Sequence, residues 1–444
     1  MSTVYKLGGT SQCKIGYNRL INEIIININN GKKQNFIVLS AISGVTNYLV
    51  KFTETKDINF INKVLVLNYN LIEDLNLKQE LFCNIKDNLL KLADNFIKSY
   101  DMTDIYEKSE IIGYGEVFST NIFYEYIIKN SCEFVIPDIK LYNSYEYILS
   151  KKEIYNCNSS VEFYFDVNKF YSQTEIINEV NIFQGFIGST PNGKKVLLGR
   201  GGSDTTGSLI AKGIKTDYYE VWTDVDGIYS ADPKIFDAHL VENIDYELIQ
   251  ELASMGAKVM HPLSIKPCAD ENIPIYVKNT FNEKSKGTII TNISKCRYTS
   301  CNSTFYAVQK NETVFKIKSL DMWNSVGFLN DIFRKFSENK IDVNIVTTSQ
   351  FSISATTSEQ NKYKLLEVKH ILSDRYDVEM INNCTILSIV ERNVKNMLKN
   401  INFNKINAEI IHISDNNMSI NFVLRNFDPK IINNIQIFGE HIDC

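Results

Sequence analysis

Near the start of the chain a lysine stands two residues before a glycine pair, in Lys6-Leu7-Gly8-Gly9-Thr10-Ser11. Glycine backbone lets N–H groups approach an anion closely, and a following helix start adds partial positive charge. The lysine adds a full charge. The spacing is not that of a Walker A loop, which needs G-x-x-x-x-G-K, and alone the run also reads as a plain strand-to-helix turn. A second run, Gly199-Arg200-Gly201-Gly202-Ser203-Asp204-Thr205-Thr206-Gly207, crowds glycines, an arginine and an aspartate into one junction. Arginine grips a carboxylate or phosphate with two parallel hydrogen bonds. A flexible turn with Asp204 as a helix cap would not need Arg200 inside a glycine run, so an anion site is the better reading.

Three further segments carry polar chemistry. Trp222-Thr223-Asp224-Val225-Asp226-Gly227-Ile228-Tyr229-Ser230-Ala231-Asp232-Pro233-Lys234 offers hydrogen-bonding groups for a base or ribose and aromatic rings for stacking, although Asp226-Gly227 alone would mark an ordinary turn. Gly256-Ala257-Lys258-Val259-Met260-His261-Pro262 offers another lysine; a lone lysine is usually a solvated charge, and a histidine before proline is usually structural. Glu116, in Gly113-Tyr114-Gly115-Glu116-Val117-Phe118-Ser119, reads as a carboxylate between glycines and a helix start, favoured there by the helix dipole, or as the partner of a substrate ammonium.

These segments require a scaffold, and its rhythm is legible. Thr3–Lys6 reads as a strand, Ile15–Asn29 as a helix and Phe36–Ser40 as a second strand, which ends in Ala41-Ile42-Ser43-Gly44-Val45-Thr46-Asn47 before another helix. Strand, small-residue turn, helix, repeated, describes an α/β domain with a largely parallel sheet, and such sheets bind ligands beyond the carboxyl ends of their strands. Residues 58–130 are mostly helical in pattern, as in the recurrence of Ile85, Leu89, Leu92 and Phe96. Strands return at Ile182–Gly185, Lys195–Leu198 and Val221–Thr223, with a helix through Lys212. A helix over 247–256 and strands at Ile275–Lys278 and Gly287–Ile290 close this unit. Past about residue 293 the glycines thin out. Val314–Ile317, helix Phe328–Asn339, Ile341–Thr347 and Phe351–Ala355 form one small α+β module. Thr385–Ile389, a helix near Val394–Asn400, Ala408–Ile413 and Met418–Leu424 repeat it.

Composition narrows the function classes. The 444 residues carry 47 Lys plus Arg against 52 Asp plus Glu, a net charge of −5, which disfavours a nucleic-acid binder. With 44% apolar and 22% charged residues the chain reads as an ordinary globular protein. No uninterrupted 18-residue apolar run suggests a membrane span, and Met1 to Gly9 lacks a leader pattern, so a cytoplasmic location is expected. The nine cysteines are scattered without a C-x-x-C pair, which suits reduced thiols better than zinc ligands. No metal held by protein ligands alone is expected.

In this order, these motifs resemble the aspartokinase branch of the amino-acid kinase family over nearly the whole chain. KLGGTS, LSAISGVTN, GYGEVFST, FQGFIGSTPNGKKVLLGRGGSDTTG, WTDVDGIYSADP and GAKVMHP carry the likeness. It implies a three-layer α/β/α amino-acid kinase sandwich with a mainly parallel eight-stranded sheet over residues 1–293. Two C-terminal ferredoxin-like ACT modules would follow, the first at 313–382 and the second at 300–312 plus 383–444, with Phe305–Gln309 adding a strand to the latter. The implied reaction moves the γ-phosphoryl of ATP, bound with Mg²⁺, onto the side-chain carboxylate of L-aspartate, the entry step to lysine, threonine, methionine and diaminopimelate. An acceptor already ionised at neutral pH needs no general base, so catalysis reduces to positioning and charge neutralisation.

The resemblance also implies roles. Lys6 would contact the phosphoryl group in flight, and Asp204 would orient Lys6 or hydrated Mg²⁺. Gly8, Gly9 and Ser43 would donate to the phosphates. Arg200, with Thr46 and Ser203, would hold the α-carboxylate of aspartate, and Glu116 its ammonium. Thr223, Asp224, Tyr229, Lys234, Lys258 and Val259 would hold the nucleotide. Met322, Ser325, Gly327, Phe328, Leu329, Asp342 and Val343 would contact an amino-acid effector, with lysine favoured because the lysine-sensitive monofunctional members are nearest in pattern. A homodimer through the ACT modules is implied, with pairing into tetramers left open. The chain departs from the family pattern at Lys234, where arginine is common, at Gln350, where glutamate is common, and at Val390-Glu391-Arg392-Asn393, where a glycine-rich effector loop is missing. A member with another acceptor and an inactive amino-acid sensor are the rival readings; retention of Lys6, Arg200 and Asp204 weighs against the second. No G-x-G-x-x-G follows, so fusion to a homoserine dehydrogenase is not expected.

Overall fold

The computed structural model describes residues 2–31, 34–99, 104–134, 138–154, 162–173, 180–257, 260–292, 304–319, 327–392, 394 and 408–427. The chain divides into two compact units, Met1–Ile228 with Leu240–Tyr246 and Val259–Tyr298, and Tyr229–His239 with Glu247–Lys258 and Thr299–Cys444.

The first unit is built on an eight-stranded sheet in the order Asn243–Asp245, Thr288–Thr291, Ile275–Asn279, Tyr218–Thr223, Ser2–Leu7, Gln34–Leu39, Val180–Gln184, Ile139–Tyr142. Every neighbouring pair is parallel except Ile275–Asn279 with Thr288–Thr291. Ser2–Leu7 and Gln34–Leu39 are buried at five consecutive positions each, as strands covered on both faces must be. On one face Tyr5, Leu7, Ile37, Leu39, Ile182 and Trp222 share a core with helices Lys14–Asn29, Val45–Thr55, Ile58–Asp74, Gln79–Lys98 and Ile105–Phe134. On the other, helix Gly202–Ile214 packs on the strands Ser2–Leu7, Gln34–Leu39 and Tyr218–Thr223, with helix Pro262–Asp270 against it. The expected layers and the parallel sheet are therefore present. A four-stranded sheet joins Phe163–Phe165, Ile148–Ser150, Ile187–Ser189 and Lys195–Leu197.

Helix Pro262–Asp270 escapes the sequence pattern because Pro267 lies inside it; His261 caps it, its Nδ1 accepting from Leu263 N at 3.3 Å, and Pro262 opens it. The histidine is thus structural, as its place before proline suggests.

The second unit carries a six-stranded sheet in the order Val346–Thr348, Ser352–Thr357, Phe305–Lys318, Asp377–Val390, Ser419–Arg425, Glu409–Asp415, antiparallel throughout. Two of these strands run for 14 residues each. The fragments read from sequence as Phe305–Gln309 and Val314–Ile317 belong to one strand, and Phe305–Gln309 pairs with Ile386–Val390. The continuity is hidden by a register shift between Gln309 and Val314, where Asn311 takes a left-handed φ of 64° and Asn383 one of 58°. Asparagine tolerates that region better than most residues. Helix Lys362–Ser373 was not apparent from the sequence, although Asn361 caps it through Tyr363 N and Lys364 N. The strand expected over Ile341–Thr347 is a correction: only Val346–Thr348 joins the ladder. Asn344 N and Ile345 O bond to Thr356, but outside regular pairing. The helix expected at Val394–Asn400 lies outside the described residues, apart from Val394.

Because Asn311 is exposed and left-handed, Asn311→Val should destabilise the protein by about 1–2 kcal/mol while Asn311→Gly is neutral or better. Urea unfolding of the two variants checks this; equal midpoints would contradict the strained bulge.

Candidate active site

Lys6 is the penultimate residue of strand Ser2–Leu7, at the carboxyl end of a central parallel strand. Its Nζ lies 2.6 Å from Asp204 Oδ1, in the first turn of helix Gly202–Ile214; the two side chains are 11% and 15% exposed. The chain then turns through Gly8 and Gly9. Gly8 N donates to Trp222 O at 3.0 Å, Ser43 N to Gly9 O at 3.1 Å, and Ser40 N to Leu7 O at 3.2 Å. A Cβ on Gly8 would sit 3.6 Å from Lys6 Nζ, so the ammonium hangs directly over the glycine turn. The loops after the strands ending at Leu7 and Leu39, and the end of strand Tyr218–Thr223 at Trp222, thus meet beside one lysine–aspartate pair.

Glu116 reaches the same place from a direction its sequence context obscures. Gly113, Gly115 and Glu116 all lie inside helix Ile105–Phe134, so the reading of Glu116 as a carboxylate at a helix start is corrected. Gly115 is needed there because a Cβ would fall 2.8 Å from Ala41 Cβ. That close approach lets Glu116 Oε1 accept from Ala41 N at 3.2 Å, while Ser119 Oγ donates to Ser40 O at 2.7 Å. Glu116 is 3% exposed, and its Oε2 has no hydrogen-bond partner among the described residues. Burial pushes its carboxyl up from 4.5 to about 8, only partly offset by the Ala41 N–H and its own backbone. A buried acid with one idle oxygen is suited to a cation that arrives with a ligand.

The second glycine run is shaped by contact. Gly201 has φ 65° and caps the helix; a Cβ on it would lie 2.4 Å from His261 Cβ. Burial and the nearby Arg200 lower the His261 pKa, partly opposed by Asp204. Arg200 itself is exposed and makes no hydrogen bond or ion pair among the described residues. Ser203 is buried, Thr46 is half-buried at the second position of helix Val45–Thr55, and Ser43 is exposed. Thr223 Oγ1 lies 3.3 Å from Asp224 Oδ1 at the end of strand Tyr218–Thr223.

The first unit therefore contains Lys6, Gly8, Gly9, Ser43, Thr46, Glu116, Arg200, Ser203, Asp204, Thr223 and Asp224, with contacts tying Lys6 to Asp204, the glycine turn to Ser43 and to Trp222 at the end of its strand, and Glu116 to Ala41. Tyr229 and Lys234 belong to the second unit, where Lys234 is exposed and its N–H is held by Asp232 Oδ1 at 2.9 Å. Lys258 and Val259 lie outside the described residues, as do Met322 and Ser325. Gly327, with φ 89°, caps helix Phe328–Glu338, whose first residues are Phe328 and Leu329; Asp342 is exposed and Val343 half-buried. Sequence reasoning missed Ser119, although it ends the run that contains Glu116.

Residues 1–279 match the model of the amino acid kinase family. The chain belongs to this family. It is 27% identical over 365 residues to lysine-sensitive aspartokinase 3 of Escherichia coli, covering 80% of this chain and 77% of that one. It is 30% identical over 294 residues to the aspartokinase of Chlamydia trachomatis, covering 65% and 64%. Among solved structures, E. coli aspartokinase III in complex with aspartate and ADP shares the fold with a TM-score of 0.79 at 24% identity, over 98% of this chain and 99% of that one. The same enzyme in complex with lysine and aspartate gives 0.75 at 23% identity, over 98% of each.

The raised Glu116 pKa has a consequence for stability. The fold favours the protonated acid, so this contribution is complete below about pH 4.5 and is lost as pH rises toward 8. Ligand-free protein should lose on the order of 1 kcal/mol per pH unit from this group across that window, and Glu116→Gln should remove that slope. Urea midpoints at pH 5, 6.5 and 8 read it; parallel curves for the two proteins would refute it.

Proposed function

We infer that the chain is an aspartate kinase, transferring the γ-phosphoryl of ATP to the side-chain carboxylate of L-aspartate to give 4-phospho-L-aspartate and ADP. The family and the named aspartokinase relatives support the reaction type. Glu116 carries the choice of an amino-acid acceptor: a deeply buried carboxylate with a free oxygen beside the Ala41 loop offers a seat for an α-ammonium. Arg200, whose fork engages no partner among the described residues, offers a seat for the α-carboxylate, assisted by Thr46 and Ser203.

Two anions must meet for this reaction. Lys6 supplies the positive charge that the transferring group needs, and Asp204 holds its Nζ over the glycine turn. The Gly9 backbone N–H and the Ser43 hydroxyl would complete an anion seat; Gly8, expected from the sequence to donate as well, instead directs its N–H to Trp222 O. Thr223 and Asp224 would hold the nucleotide. Among the described residues no three His, Cys, Asp or Glu side chains gather as a metal cage, so nucleotide oxygens and water would supply most ligands of the Mg²⁺ that accompanies ATP. The kinase domain would span 1–293, with ACT modules at 313–382 and at 300–312 plus 383–444. Lysine would act as effector through Gly327, Phe328, Leu329, Asp342 and Val343, with Met322 and Ser325. The enzyme would work in the cytoplasm as a homodimer through its ACT modules.

A hydroxamate assay with MgATP should show turnover with L-aspartate, and inhibition by L-lysine more than by L-threonine; product with L-glutamate alone would refute the substrate. Lys6→Ala should lower kcat about a hundred- to a thousandfold, and near-normal turnover would rule out its role. At pH 7, binding of L-aspartate should release up to one proton as the ammonium ionises Glu116. Calorimetry in two buffers of different ionisation enthalpy measures it, and identical heats would remove Glu116 from the ammonium seat.

A further inference from the structure

Arg19, on helix Lys14–Asn29, is a cation with little reason to be buried. Its side chain is 12% exposed, and the one carboxylate within reach among the described residues, Glu283, is 3.8 Å away and 78% exposed. A desolvated guanidinium needs other partners. It finds two: Asn279 O, to which Nη1 donates, and the ring of Trp222, with the guanidinium carbon 4.9 Å from its centroid.

Both partners lead to the loop after Trp222. Trp222 is fully buried, its indole N–H donates to Glu220 Oε2 at 2.8 Å, and its carbonyl accepts from Gly8 N. Asn279 Nδ2 donates to Asp226 Oδ1 at 2.7 Å, joined there by Asn282 Nδ2 at 2.9 Å, while Thr280 N donates to Thr223 O at 2.8 Å. The turn after Asn279 is therefore a clamp on residues 223–226, and Arg19 ties that clamp to the helix that follows the glycine turn.

We propose that Arg19 is a positioning residue for the nucleotide, holding the Thr223–Asp224 loop in register with Gly8 and Gly9. It is not among the residues assigned above to either substrate. The proposal rests on the assignment of that loop to the nucleotide. Arg19→Met keeps the length and apolar stem of the side chain but loses the charge and the hydrogen bond. It should raise KM for ATP and Kd for MgADP about tenfold, and leave KM for aspartate within about twofold. Asn279→Asp, which retains the acceptor that caps Phe281 N but loses the donor to Asp226, should give the same split and serves if Arg19→Met does not fold. Glu283→Gln should bind MgADP as the unaltered protein does.

Titration calorimetry with MgADP, beside steady-state kinetics, reads all of these. If the unaltered protein binds MgADP and folded Arg19→Met binds it equally well, the proposal falls while the nucleotide loop stands. If both KM values rise in parallel, Arg19 is merely structural and the proposal also falls. If the unaltered protein binds no MgADP, the nucleotide assignment falls first and takes this proposal with it.

Discussion

The contact between Lys6 and Asp204 is the constraint on which the first unit turns. One charge comes from the end of a central strand and the other from the first turn of a helix across the sheet face. Each alone would be a poorly solvated ion, and together they fix the lysine rotamer above the glycine turn. To bring the helix close enough, its cap must be a residue without a side chain, because His261 occupies the space a Cβ would take at Gly201. The parallel sheet explains why the meeting happens where it does: the strands ending at Leu7, Leu39 and Thr223 all finish at the carboxyl end of the sheet, where the glycine turn bonds to the Ser43 loop and to Trp222.

Much of this was legible in the residues. The glycine runs with their lysine, arginine and aspartate are local signals, since each lies at a junction between a strand and a helix. Glu116 was legible as a candidate but not in its setting. Its partner Ala41 is 75 residues away, and the glycines beside it suggested a helix start when they in fact allow a helix interior to press on a loop. Arg19 gave no signal, because its partners lie on a different helix–strand layer more than two hundred residues on. The pattern marked residues 58–130 as mostly helical without dividing them into the helices Ile58–Asp74, Gln79–Lys98 and Ile105–Phe134, and it missed Pro262–Asp270 and Lys362–Ser373, where an internal proline and a short amphipathic stretch blur the repeat.

The second unit shows how a local kink can conceal a long element. Asn311 and Asn383 interrupt the alternation of side chains without ending the ladder. Glu312 lies at that interruption, 1% exposed, with Asn344 Nδ2 bonded to its Oε2 at 3.0 Å. Burial raises its pKa, and the Asn344 amide opposes the shift. A polar group at a bulge is thus satisfied locally, and the apolar cores on either side, one around Phe315 and Phe336 and the other around Leu387 and Phe422, remain separate.

Those two cores nevertheless hang from the same pair of strands. Phe305–Lys318 and Asp377–Val390 each pass through both halves, extending roughly 46 Å at about 3.3 Å per residue. Neither half can melt away without tearing a ladder it shares with the other. The two halves of this sheet are therefore expected to unfold together, with amides from either end of these strands exchanging with solvent on a common clock. Evolution could not swap one half for a foreign copy without also matching the twist and phase of two continuous backbones.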